Sequence, residues 1–126
     1  MKFQPDSLAG TNTVSRHEPG AVWVSGTRWD SSLLLPWRGA VQAWAPRSPA
    51  DLTAAHFEAV LALRPELVIF GSGARLRFVS AALYRALIEA RVGIETMDTA
   101  AACRTYNVLA SEGRSVVAAL LVSPDE

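Results

Sequence analysis

The sequence predicts an α/β domain, on three observations. Leu67-Val68-Ile69-Phe70 is a continuous apolar run between Pro65 and Gly71, the pattern of a strand buried on both faces. Val79, Leu83, Leu87 and Ala90 follow at helical spacing, with Arg85, Glu89 and Arg91 between them. Two more strand-like runs, Ile94–Met97 and Ser115–Val122, enclose a further helical stretch. Strand, helix, strand, helix, strand at this spacing is the signature of the class.

The N-terminal elements are shorter. Residues 1–10 read as a loose tail, and 11–126 as one domain. From about Thr11 to Trp44 the pattern is short β-like runs separated by turn formers. Ala21–Val24 precedes Ser25-Gly26, a hairpin turn. Arg28–Asp30 and Ser31–Leu35 lead to Pro36, which ends a strand or sits on an edge. Val41–Trp44 is one more short candidate. A helix then begins at Thr53, which caps it, while Leu52 staples onto Phe57. Phe57, Val60 and Leu61 form its apolar stripe, with Pro65 just beyond. The helix carrying Val79 to Ala90 is expected to stop at Gly93. Asp98 or Thr99 caps a third helix running to about Ser111, and Gly113 lies near its end.

Length and composition limit the function. The chain has 126 residues, half of them hydrophobic and 19% charged, which supports one buried core and argues against disorder. Twelve basic and twelve acidic residues cancel. A neutral chain lacks the field that draws proteins to nucleic acid or anionic membranes. Trp23, Trp29, Trp37 and Trp44 are therefore read as core and interstrand packing, with no nucleic-acid partner expected. Cys103 is the only cysteine, so neither a disulfide within the chain nor a CxxC pair can form. The first residues lack the apolar stretch of a secretory signal, and the longest apolar run, Val116–Val122, is too short to insert in a membrane. A reducing cytoplasm is the expected compartment.

In open α/β sheets, ligands bind outside the carboxyl ends of the strands. The first such end is Gly71-Ser72-Gly73. Its glycines allow close backbone approach, but Leu76 stands where a dinucleotide fingerprint needs glycine, and a P-loop Gly-Lys-Ser/Thr is missing. A tight strand-exit turn is the simpler reading. The second end is Met97-Asp98-Thr99, whose two polar residues N-capping alone would explain. Thr105-Tyr106-Asn107 are three weak helix formers placed consecutively inside a helix, a local conflict that marks either a polar site or a structural hydrogen-bond role. Glu112 and Arg114 flank Gly113 and could pair, cap the helix end or face a partner.

No catalytic constellation is complete. Phe70 and Ala74 occupy the glycine positions of a nucleophile elbow around Ser72. His17 and His56 fall in separate elements without metal-ligand spacing, so no metal or cofactor is assigned. Cys103 on an alanine-rich helix reads as a small buried residue before it reads as a nucleophile.

Leu67–Gly73, Met97-Asp98-Thr99, Ala102–Leu109, Glu112–Val116 and Ala119-Leu120 together resemble, in order and spacing, the small domain family that includes mitochondrial complex I assembly factor three and many uncharacterised bacterial proteins. The resemblance runs from about Val22 to Leu121. Before Val22 the family pattern leads one to expect a glycine- and tyrosine-rich strand, where this chain has Arg16-His17-Glu18, so residues 11–20 are not assigned to the site. The resemblance implies a single three-layer domain. A central mixed sheet would carry helices on one face, and extra N-terminal strands plus a helix on the other. One strand would be antiparallel, the last being the expected one. It implies no established catalysis. The family's mitochondrial branch assists assembly of respiratory NADH dehydrogenase through protein contacts.

The first functional reading is thus a non-catalytic interaction or assembly-type domain, whose partner is another protein. Its crevice would be formed by Gly71, Ser72, Gly73, Met97, Asp98 and Thr99, with Thr105, Tyr106 and Asn107 beside it. The alternative is a small-molecule or anion-binding enzyme in the same crevice, which requires Ser72, Asp98, Thr99, Thr105, Tyr106 and Asn107 to converge on one pocket. RNA binding through the tryptophans and arginines is a third, weaker option.

Overall fold

Seven residues at the C-terminal end of the chain set the plan of the molecule. In the computed structural model, which describes residues 10–124, Val116, Ala118, Leu120 and Val122 enter one buried cluster, and Val117, Ala119 and Leu121 enter a second. A strand alternates its side chains, so this one is buried on both faces. The expected tail, residues 1–10, lies outside the described residues except for Gly10.

The elements in chain order are β1 (Val14–Glu18), β2 (Ala21–Val24), β3 (Thr27–Trp29), β4 (Leu33–Pro36), β5 (Gln42–Ala43), α1 (Ala54–Leu61), β6 (Leu67–Gly71), α2 (Arg85–Glu89), β7 (Gly93–Met97), α3 (Thr99–Ser111) and β8 (Val116–Leu120). Short 3-10 turns at Pro49–Asp51 and Ala81–Tyr84 precede α1 and α2. The central sheet has the order β5-β4-β8-β6-β7, and β1-β2-β3 form a separate antiparallel sheet. β6 is parallel to both β7 and β8, while β4 is antiparallel to β8 and to β5. The sheet is mixed, as the family resemblance implies, but the last strand is not the antiparallel one. The three strands joined by helices run parallel because each crossover returns the chain to the same end. The reversal belongs to β4, which enters from the N-terminal half.

On one face Leu34, Phe57, Val60, Val68, Phe70 and Leu87 bring α1 and α2 onto the sheet, with the Trp44 ring edge-on to Phe57 and Phe70 at centroid distances of 5.9 and 6.4 Å. Leu52 and Phe57 belong to this same cluster, as the staple requires. On the other face Leu33, Leu35, Ile69, Ala102, Cys103, Tyr106 and Ala110 join α3 to Val14, Val22 and Val24 of the small sheet.

Two expectations change. Val79 to Ala90 do not form one helix: a 3-10 turn capped by Ser80 leads into a five-residue α2. The stop is Arg91, in the left-handed region at φ 61°, and Gly93 opens β7 instead. The unpredicted element is β1, which has one buried apolar residue, Val14. It is held from outside by pairing with β2 and by the Asn107 carboxamide. That group accepts from the Val14 N–H at 2.9 Å and donates to the Val14 C=O at 2.8 Å. Tyr106 adds a second tie by donating its hydroxyl to the Asn12 C=O at 2.7 Å.

The Asn107 clamp gives a direct test. Asn107→Ala should cost about 1–3 kcal/mol in urea unfolding, since it strands two part-buried groups of Val14. The Val14 amide should lose hydrogen-exchange protection while the β8 amides keep theirs. Equal loss in both places would show that the clamp is not local to β1.

Candidate functional site

The chain steps from β6 out to the edge strand β7 and then turns back past β6 to β8, with α2 and α3 on opposite faces of the sheet. Successive crossovers therefore diverge, and a crevice opens beyond the carboxyl ends of the three parallel strands. Gly73 and Ala74 after β6, Thr99 and Ala100 after β7, and Leu121, Val122 and Ser123 after β8 line it. The end of β1, His17-Glu18, and its turn into β2, Pro19-Gly20, form the remaining wall. The cavity is about 130 Å³. That is small beside the roughly 300–1,000 Å³ of sites that enclose drug-sized ligands.

The floor is made by backbone bonds between the strand ends. Ser72 N–H donates to Met97 C=O at 2.8 Å, Leu121 N–H to Gly71 C=O at 2.9 Å, and Thr99 N–H to Gly73 C=O at 2.9 Å. Thr99 Oγ1 is buried at the centre of this set. It accepts from Gly73 N–H at 2.9 Å and donates to Leu121 C=O at 2.8 Å. Such an approach demands a glycine at position 71. A Cβ there would stand 3.0 Å from both Thr99 Oγ1 and Leu120 Cδ2, and 3.1 Å from Thr99 Cα. Gly20, at φ 81°, fits the hairpin against the C-terminal segment, where a Cβ would meet Pro124 Cα at 3.1 Å.

Of the residues expected at the site, Gly73 and Thr99 line the cavity. Gly71 and Met97 are outside the lining, and their carbonyls accept from Leu121 N–H and Ser72 N–H beside it. The buried Ser72 hydroxyl donates to Arg75 C=O at 2.7 Å and accepts from Arg77 N–H at 2.9 Å. Asp98 is the N-cap of α3 and accepts from Ala101 N–H at 2.8 Å. Thr105 is half-buried outside the cavity lining, and Tyr106 and Asn107 are tied to the backbone of residues 12 and 14. Thr105 apart, the side chains that would have to converge on a substrate thus point into separate structural bonds. Glu112 and Arg114 do not form an ion pair with each other. Arg114 Nε donates to Glu66 at 3.2 Å, and Glu66 also accepts from Ser115 N–H at 3.0 Å, a bond that holds its carboxyl below the ordinary range.

The sequence reading missed His17 and Glu18. Burial lowers the imidazole pKa of His17 from its ordinary 6.5, against the opposing field of Asp98; Arg104 lowers it further and Glu18 raises it. The signal for it was a titratable pair directly before Pro-Gly in a segment whose pairing was not recognised. Cys103 is buried and its thiol is pushed up to about 12, so it stays protonated at neutral pH. Burial also raises Tyr106, which keeps it a phenol and a donor. Among the described residues, no three His, Cys, Asp or Glu side chains are grouped to hold a metal, and no helix is long and apolar enough to cross a membrane.

Residues 14–121 match the model of a family described as "Protein of unknown function (DUF498/DUF598)". The chain belongs to this family. Among its relatives is the Danio rerio protein named NADH dehydrogenase [ubiquinone] 1 alpha subcomplex assembly factor 3, 30% identical over 97% of this chain and 70% of the fish protein. The chain spans about half the length of the mammalian proteins of that name, 55% in Bos taurus and 50% in Homo sapiens. An uncharacterized protein of Rhodobacter capsulatus is 34% identical over 98% of this chain and 95% of its own length. A crystal structure from Bordetella parapertussis superposes with TM-score 0.86 at 37% identity, over 90% of this chain and 98% of that one. The solution structure of a Mth938-like domain from Bordetella pertussis gives 0.83 at 32% identity, over 97% and 92%. The fold class and the family resemblance read from the sequence agree with these relatives.

Two predictions test the site. Gly71→Ala should destabilise the domain by about 1–3 kcal/mol by forcing Thr99 and Leu120 aside; urea unfolding that matches the parent would show the close approach to be dispensable. For His17, the unfolded chain takes up the proton first. Its contribution to stability is complete above about pH 6.5 and declines as the pH falls below that value. His17→Asn should flatten this part of the stability profile, as read by unfolding free energies at about pH 7.5 and about pH 5.5. Parallel profiles for the two proteins would refute the assignment.

Proposed function

We propose that this chain is a non-catalytic protein-interaction domain of the assembly-factor type, and that its contact site is the switch-point crevice and the His17–Gly20 turn. One observation carries the reading. The polar side chains around the strand ends are committed to backbone hydrogen bonds, leaving a small cleft lined by Gly73, Ala74, Thr99, Ala100, Leu121 and Val122. A cleft of this size accepts a protruding side chain of a partner more readily than a nucleotide or a large substrate. The neutral His17 beside it offers a polar contact at the rim.

The names of the eukaryotic relatives support the same direction, since an assembly factor acts by contacting the subunits it helps to join. The partner here is taken to be a protein met in a reducing cytoplasm. A free buried thiol such as Cys103 suits that setting.

The reading predicts that a defined protein co-purifies with the chain from its own cells under mild conditions. Gly73→Arg should lower the recovered partner by about tenfold or more. Gly73 has φ 106°, so any side chain there is strained, and Ala100→Trp is the companion variant that fills the crevice from α3. Recovery of the partner at parent levels with a folded Ala100→Trp would defeat the proposal. So would recovery of no specific protein from the parent.

A further inference from the structure

The chain is formally neutral, yet its charge is not evenly spread. Residues 74–92 contain Arg75, Arg77, Arg85 and Arg91 against a single acid, Glu89, which leaves the rest of the chain net acidic. All four arginines are exposed. Elsewhere Arg16, Arg28 and Arg114 pair with Glu18, Asp30 and Glu66, whereas none of these four meets a carboxylate among the described residues. The same stretch holds Leu76, Phe78 and Ile88, three of the four exposed large apolar residues among those described; Phe78 is 77% exposed. Unpaired cations interleaved with exposed apolar side chains are the complement of an acidic, apolar segment.

Position and rigidity extend the argument. Arg75–Phe78 follows the lining residues Gly73 and Ala74 directly in the chain, so it adjoins the wall of the crevice. It lacks regular secondary structure, but the buried Ser72 hydroxyl holds it at both Arg75 C=O and Arg77 N–H. A segment fixed in this way loses little freedom on docking. An extended peptide can lie along the arm and place a side chain in the adjoining cleft, whereas a bilayer surface cannot enter a concavity. Nucleic acid would need a wider basic field than four arginines on a neutral chain provide.

We propose that Arg75-Leu76-Arg77-Phe78 is a docking arm for an acidic peptide segment of the partner protein, which runs from the arm into the crevice. This deepens the interaction reading above and rests on it. The test places a photo-crosslinking p-benzoylphenylalanine at position 78, and in a second protein at position 19 in the hairpin wall, each expressed as the full chain in its own cells. Both should crosslink the same partner, and the peptide joined to position 78 should carry several Asp or Glu residues. Arg75→Glu combined with Arg77→Glu should lower the yield at position 78 by about tenfold, with the melting temperature unchanged. A yield unmoved by charge reversal, a non-acidic peptide, or a phospholipid adduct at position 78 would each overturn the arm. Crosslinking from position 19 but not from 78 would overturn it while sparing the crevice reading. Absence of crosslinks from both positions would remove that reading too.

Discussion

The hydroxyl of Thr99 is the contact on which the architecture of the site depends. It sits at the start of α3, accepts from the Gly73 N–H beyond β6 and donates to the Leu121 C=O beyond β8. One buried atom thus joins the exits of three parallel strands, and each of its partners would otherwise be a polar group without water. Leaving such groups unpaired costs about 1–3 kcal/mol apiece, more than a typical net hydrogen bond contributes. The geometry in turn favours the missing side chain at Gly71, because Thr99 Cα lies 3.1 Å from where a Cβ would be, closer than ordinary van der Waals contact. The glycine turn is therefore explained by helix–sheet contact, without any phosphate.

The arrangement also decides what the crevice can be. Divergent crossovers around β6 open a space in any sheet of this topology, and in many proteins loops with free donors fill it with a ligand. Here Ser72, Asp98 and Thr99 turn their oxygens to backbone partners. The second wall comes from the β1–β2 turn, and the opposite end of β1 is tied to α3 by Tyr106, on Asn12, and by Asn107, on Val14. Polar residues inside a helix thus act at a distance from the cleft, by fixing the strand whose end forms its rim.

This division explains what the sequence made visible. Leu67–Phe70, the α3 boundaries and Val116–Val122 were legible because their signal is local: an unbroken apolar run, a capping residue, a period. The Ser25-Gly26 turn was legible for the same reason. β1 was not, because Val14-Ser15-Arg16-His17-Glu18 has almost no apolar alternation, and it is held by pairing with β2 and by a side chain 93 positions away, that of Asn107. The helix expected over Val79–Ala90 kept its buried positions, Val79, Leu83 and Leu87 all packing on the same cluster, while its backbone broke into a 3-10 turn and a single short helix. Hydrophobic period reports which side chains face the core, and it reports continuity of the backbone only weakly.

The same logic applies to the crevice. Gly71, Gly73 and Asp98-Thr99 could be read as strand exits from their types alone. That His17 and Glu18 stand opposite them depended on the placement of a second sheet, a nonlocal fact with no short-range signature. The polar run Thr105–Asn107 first looked like a site because it contradicts helix propensity. Within a packed layer such a contradiction has two resolutions, a ligand or another part of the chain, and for Tyr106 and Asn107 the chain itself provides the partners at 2.7–2.9 Å. What propensity detects is therefore a demand for hydrogen bonds. Only topology tells where that demand is met, and here it is met by the strand that carries the rim of the cleft.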